Sequence, residues 1–129
     1  MISEEKISKA NDVIFNGDST PVVNNIKILN WMADNITKTI RNNQKPLSAT
    51  LIDEFTSLFG SPNKIKKFEF LTRVWILKYN DLIFNVYSAK TKGTSIEIIG
   101  YSYDDIRSGK RQKDIILFLE KLSALVNKI

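Results

Sequence analysis

Cysteine and histidine are both absent from the 129-residue chain. Without cysteine there is no disulfide, no thiolate metal site and no thiol nucleophile. Without histidine the commonest general base near neutral pH is gone, and with it the commonest transition-metal ligand. Catalysis would have to rest on carboxylates, lysine, tyrosine or serine. No apolar run approaches the roughly 18 residues that a membrane helix needs. The opening stretch, MISEEKISKANDV, is polar and charged, unlike a secretory signal. These absences lead to the expectation of a cytoplasmic protein that does not engage a membrane. Proline and glycine are sparse as well, three and five residues, and most of them mark boundaries between periodic segments.

What the chain does have is ordinary for a globular protein: 43% hydrophobic and 26% charged residues. Its length suits a single domain over residues 1–129, long enough to bury a core. The charge is uneven. Residues 1–60 hold six Lys/Arg and seven Asp/Glu, a net of −1, whereas residues 61–129 hold thirteen and seven, a net of +6. The whole basic excess lies in the second half. An anionic partner would explain it, and so would a solvated surface that keeps the protein soluble.

Helical periodicity dominates the first half. Ile7, Ala10 and Ile14, with Val13 beside them, predict a helix from about Ser3 to Asn16, ended by Gly17. Thr20-Pro21 is a helix-start signal, and Val22, Ile26, Leu29, Ala33, Ile36 and Ile40 then form one face of a second helix that ends near Asn42. Ile28, Trp31 and Met32 either widen that face or form a second contact surface. A short third helix places Leu51, Phe55 and Leu58 on its buried side, with Ile52 and Phe59. Thr50 and Asp53 resemble a capping box, and Gly60 and Pro62 end the helix.

After Pro62 the period drops to two. In KFEFLTRVWILKY one strand face holds Phe68, Phe70, Val74 and Ile76, and the other holds Leu71, Trp75, Leu77 and Tyr79. Asn80-Asp81 is a turn pair. The return strand alternates Leu82, Phe84 and Val86 against Ile83, Asn85 and Tyr87. Lys90 to Gly93 leads to a third strand that sets Ile96 and Ile98 against Ser95, Glu97 and Ile99. The chain closes with an amphipathic helix starting near Gly109 or Lys110, on which Ile115, Leu119, Leu122 and Val126 form the stripe. The expectation is an α+β domain in the order α-α-α-β-β-β-α, with a three-stranded antiparallel meander packed by helices.

Three features invite a functional reading. The segment SAKTKGTSIEIIG sets Lys90 and Lys92 beside a lone glycine. A phosphate-gripping loop usually has several glycines and opens a helix, so a plain hairpin turn fits this one better. RSGKRQK, Arg107 to Lys113, is the densest cationic run; Arg107, Lys110, Arg111 and Lys113 either pair with Asp104, Asp105 and Asp114 or meet a partner. Strand length sets this run at the opposite end of the sheet from Lys90 and Lys92, near the turn that carries Asp81, which could pair with it. Among the aromatics Trp75, Tyr79, Phe84, Tyr87, Tyr101 and Tyr103, the last two lie beside the basic run and are the best placed for contact. Aromatics among cations on a sheet can stack bases, but no RNP-type signature accompanies them.

No catalytic constellation, metal site or cofactor is expected. Glu97 lacks the lysine two positions on that a restriction-type metal nuclease would use, and Asp104-Asp105 has no second acidic cluster to help hold a cation. The LFGSP turn followed by a meander and a helix is shared by many small bacterial and phage α+β proteins, and names no family. The residues point first to a small non-catalytic protein-binding module of the inhibitor, immunity, adaptor or phage counter-defence kind. Its expected contacts are Arg107, Lys110, Arg111, Lys113, Tyr101, Tyr103, Trp31 and Met32, and a homodimer through Trp31 and Met32 or an open edge strand is a further expectation. The alternative is a nucleic-acid-binding protein that uses the basic half. Against a winged-helix version stands the third helix, SATLIDEFTSLFG, with two acids and no Lys or Arg.

Overall fold

The computed structural model describes residues 6–10, 33, 45–67 and 70–128. They form five strands and three helices: β1 (Ser8–Lys9), α1 (Ile52–Phe59), β2 (Lys64–Lys67), β3 (Leu71–Tyr79), β4 (Leu82–Ala89), β5 (Gly93–Ile98), α2 (Tyr103–Arg107) and α3 (Gln112–Asn127). Ala33 is also helical, and buried. The fold is α+β with an antiparallel sheet. Its central hairpin is β3 and β4, joined by Asn80-Asp81, where Asn80 takes a φ of 56°. Asparagine tolerates that left-handed conformation because its short polar side chain bonds locally.

Alternation in β3, β4 and β5 separates the two faces. On the core face the cross-strand rows are Trp75–Val86–Ile96 and Leu77–Phe84–Ile98. Every member of those rows is buried. The α3 stripe Ile115, Phe118, Leu119, Leu122 and Val126 is buried in the same core cluster. Phe118 stacks on Phe84 with ring centroids 3.7 Å apart. From α1, Phe55 meets Trp75 at 5.4 Å. The Trp75 indole N–H donates to the Gly60 carbonyl at 3.0 Å, so the end of α1 is tied to the sheet. Each of these large apolar side chains contributes about 1.5–3 kcal/mol by leaving water.

Among the described residues the sheet has five strands where three were expected. KFEFLTRVWILKY, residues 67–79, is not one strand: its first residue, Lys67, ends a separate strand, Lys64–Lys67, that pairs antiparallel with β3 in the register Lys64↔Val74 to Lys67↔Leu71. The alternation of period two runs through the reversal without glycine or proline, so the sequence carries no turn signal there. Residues 68 and 69 lie outside the described residues. β1 pairs with the far half of the same β3 edge, Ser8↔Lys78 and Lys9↔Leu77. The helix expected over Ser3–Asn16 is therefore replaced at Ser8–Lys9 by a strand. There, backbone pairing with β3 and burial of part of Ile7 on the core outweigh a weak helical period. Asn63 closes the gap between β1 and β2. Its side chain donates to the Ala10 carbonyl at 2.8 Å and accepts from the Ile76 N–H at 2.9 Å.

The third helix is found as α1, without its expected cap. Leu51 occupies the N-cap with no side-chain bond, because the Thr50 hydroxyl donates instead to the carbonyls of Ala89 and Lys90. The second helix lies outside the described residues except for Ala33. The single terminal helix proves to be two. Ser102 caps the short α2 in a reciprocal box with Asp105, and α3 starts at Gln112, not at Gly109 or Lys110.

Candidate functional site

The basic run of residues 107–113 joins α2 to α3 at the end of the sheet that carries the Asn80-Asp81 turn. Arg111 sits at the N-cap of α3 with φ 57°, a conformation that turns its guanidinium toward three partners. Its terminal nitrogens donate to both Asp81 carboxylate oxygens. Its Nε donates to Asp114 at 2.7 Å, and Nη1 donates to the Tyr101 hydroxyl at 3.1 Å. These bonds, Asp81 first and Asp114 second, raise the Arg111 pKa further above its already high ordinary value. The same Arg111 bonds hold the Asp81 carboxyl below the usual carboxylate range. Arg111 is therefore a structural clip between α3 and the β3–β4 turn.

The rest of the run divides. Lys110 lies 4.0 Å from Asp105 and 5.8 Å from the centre of the Tyr101 ring. The Asp105 carboxyl is held below its ordinary value chiefly by the Ser102 backbone N–H. Arg107 and Lys113 are exposed, and neither forms an ion pair among the described residues. Tyr101 is half-buried, and Tyr103 begins α2. Trp31 and Met32 lie outside the described residues. The structure thus brings Tyr101, Lys110 and Arg111 together and leaves Arg107 and Lys113 at the surface.

Lys90 and Lys92 occupy the opposite end, in a turn whose glycine has a packing duty. Gly93 has φ +75°, and a Cβ there would drive into the Ser48 carbonyl. That close approach lets the Thr94 N–H donate to Ser48 at 2.9 Å. The Thr94 hydroxyl donates to the Ala49 carbonyl, and the Leu51 N–H donates to the Ser88 hydroxyl at 3.3 Å. AKTKG is a hairpin turn that anchors the segment entering α1.

A different basic surface appears along β2. Lys64, Ile65, Lys66 and Lys67 are all exposed, with Ile65 at 53%. Among the described residues β2 pairs with β3 alone, and none of its lysines has a carboxylate within ion-pair reach. Lys66 rests 5.4 Å from the centre of the Tyr87 ring, and Lys92 reaches Phe70 at 5.5 Å in the same way. Beside β2, the outer face of the sheet carries a row Lys64–Val74–Tyr87–Ser95. Next to it stands a buried polar cluster. Glu97 is 6% exposed and accepts from the Asn85 amide at 3.0 Å and from the Tyr87 hydroxyl at 3.3 Å. Burial first, and the Glu97 charge second, push the Tyr87 phenol up to about 12. Tyr87 therefore stays a neutral donor.

Reading the sequence for its densest run missed this surface. The signal was present as three lysines in four residues immediately after Pro62-Asn63, but only Lys67 fell within an expected strand. Among the described residues no group of three His, Cys, Asp or Glu side chains is placed to hold a metal ion, and no helix is long and apolar enough to cross a membrane. No family model matches the chain, and neither a curated protein nor a solved structure matches it.

Proposed function

We propose that the protein is a small non-catalytic binding module that engages an acidic surface of another protein. The observation that carries this reading is the β2 edge: three exposed lysines around an exposed isoleucine, with no acid among the described residues to neutralise them. Exposed like charges repel one another and lower stability slightly. A partner that supplies carboxylates converts that repulsion into attraction, speeds encounter and sets specificity. Arg107 and Lys113 extend the same positive sign toward the other end of the sheet, whereas Arg111, held by Asp81 and Asp114, acts in folding.

Nucleic acid is the competing anion, and the distribution of aromatics argues against it. Trp75, Tyr79 and Phe84 are buried in the core. Tyr87 is half-buried, bonded to Glu97 and covered by Lys66, so it is not an open platform for bases. The short α1 opens with Asp53 and Glu54 and has no basic residue, the wrong charge for a groove between phosphates. Affinity capture from the native host, with and without nuclease, tests the reading. A specific protein retained after nuclease, released by salt, and lost with Lys66→Glu plus Lys67→Glu is the expected result. Loss of all bound material on nuclease treatment overturns it in favour of nucleic acid.

A further inference from the structure

We infer that β2 is an edge for strand addition, and that its occupant is an extended segment of a partner protein that alternates acidic and apolar residues. The inference rests on the acidic-partner reading and specifies how the partner is held. Among the described residues β2 takes its ladder bonds from β3 alone, on one side. All four of its residues are exposed. The free side of an edge strand presents unpaired N–H and C=O groups to an incoming chain. Its side chains are sorted by the pleat. Lys64 and Lys66 stand in register with Val74 and Thr72 on the outer face, while Ile65 is in register with Arg73 on the other. An added strand with acids on the outer side and apolar residues on the other would oppose carboxylates to Lys64 and Lys66 and cover Ile65, which is 53% exposed.

Charge decides between occupants. A second copy of β2 would set lysine against lysine, the arrangement by which natural edge strands resist self-pairing. An acidic strand reverses that sign. The contact between Lys66 and the Tyr87 ring, at 5.4 Å, further limits where this ammonium can go on the outer side. Tyr87 is itself held by its bond to the buried Glu97. The edge is thus charged, partly oriented and bounded: β1 and Asn63 occupy the rest of the β3 margin, so the open stretch is a short one.

The test uses the full chain and fluorescent peptides measured by anisotropy at low salt. The probes are a peptide alternating Glu and Val, a block peptide of the same composition, the alternating peptide with alternate backbone nitrogens methylated, and a single-stranded oligonucleotide. The alternating peptide is expected to bind best and the methylated one to fail, because methylation removes the ladder donors. Lys64→Glu with Lys66→Glu should weaken binding about tenfold and create binding to a peptide alternating Lys and Val. That gain also shows that the variant is folded. Equal binding of the methylated or block peptide overturns strand addition and leaves the acidic-partner reading standing. Binding of none of the acidic peptides overturns both. Tighter binding of the oligonucleotide than of any peptide overturns both in favour of nucleic acid.

Discussion

The two ends of the sheet both carry cationic turns, and they are held together by different physics. At the Gly93 end, neutral groups do the fastening: Ser48 and Ala49 carbonyls, the Thr94 N–H and hydroxyl, the Ser88 hydroxyl and the Leu51 N–H. Lys90 and Lys92 point away from that work and are exposed. At the Asn80 end the cation is itself the fastener, with Arg111 bridging Asp81, Asp114 and Tyr101. Cationic density in sequence therefore does not tell which cations are already paired. Within the densest run Arg111 is held by Asp81 and Asp114, while Arg107 and Lys113, like the lysines of β2, remain without acids among the described residues.

The largest expected effect falls at the neutral end. Gly93→Ala sets a methyl against the Ser48 carbonyl at positive φ. Left-handed strain and overpacking together should cost about 2–5 kcal/mol in denaturant unfolding. Gly100→Ala is the matched control, since φ is +86° there and nothing stands within 4 Å of the added carbon. Equal losses from the two would mean that the turn is not anchored on Ser48. Next, Thr94→Val removes a buried hydroxyl shared with Ala49 and Ser88. A loss of about 1–2 kcal/mol is expected, unchanged by added salt. Salt sensitivity of that loss would dissolve the contrast between the ends.

Arg111→Lys tests the charged end. The fork to Asp81 is lost, and stability should fall by less than in Thr94→Val, with the difference from wild type shrinking in high salt because Asp81 is 73% exposed. The sign with pH is set by Asp81. Its folded pKa is lowered by Arg111, so its contribution is present above the unfolded carboxylate value, about 3.9, and disappears as the pH falls through the folded value. Urea melts at several pH values measure this. A gap between wild type and variant that widens at acid pH would contradict the assignment of the hub.

The smallest effect lies between the two ends, on the outer face. Tyr87, pushed up to about 12, should titrate later than an ordinary phenol by ultraviolet difference spectroscopy. Glu97→Gln should bring it down, because the carboxylate charge is its second cause. A phenol whose folded pKa is raised contributes stability below its unfolded value, about 10, and loses it as the pH rises toward about 12. Titration of Tyr87 at the ordinary phenol value, about 10, would remove it from the buried cluster.

Several parts of this protein were legible from residue order. The alternation over Leu82–Ala89 and Gly93–Ile98, the Asn80-Asp81 turn, the stop at Gly60 and the α3 stripe Ile115, Leu119, Leu122 and Val126 all appear where the period places them. Local geometry is enough there, because one face of each element must be apolar and its spacing follows from 2.0 or 3.6 residues per turn. Counting residues along the third strand also set the basic run at the Asp81 end of the sheet, where Arg111 now meets that carboxylate.

What tertiary structure alone decided involves pairing between distant segments. Ser8–Lys9 reads as helix and becomes a strand because the β3 edge accepts it. Lys67 reads as the start of one long strand and instead ends a separate one, Lys64–Lys67, because period two does not reveal where a chain reverses without glycine or proline. Thr50 reads as a helix cap and instead bonds the turn carbonyls of Ala89 and Lys90. Which cations stay without acids was likewise settled in three dimensions. Arg111 finds Asp81, thirty residues away in sequence, and no carboxylate among the described residues comes within reach of Lys64, Lys66 or Lys67. Composition counts charges, but burial, register and distance determine which of them are already paired.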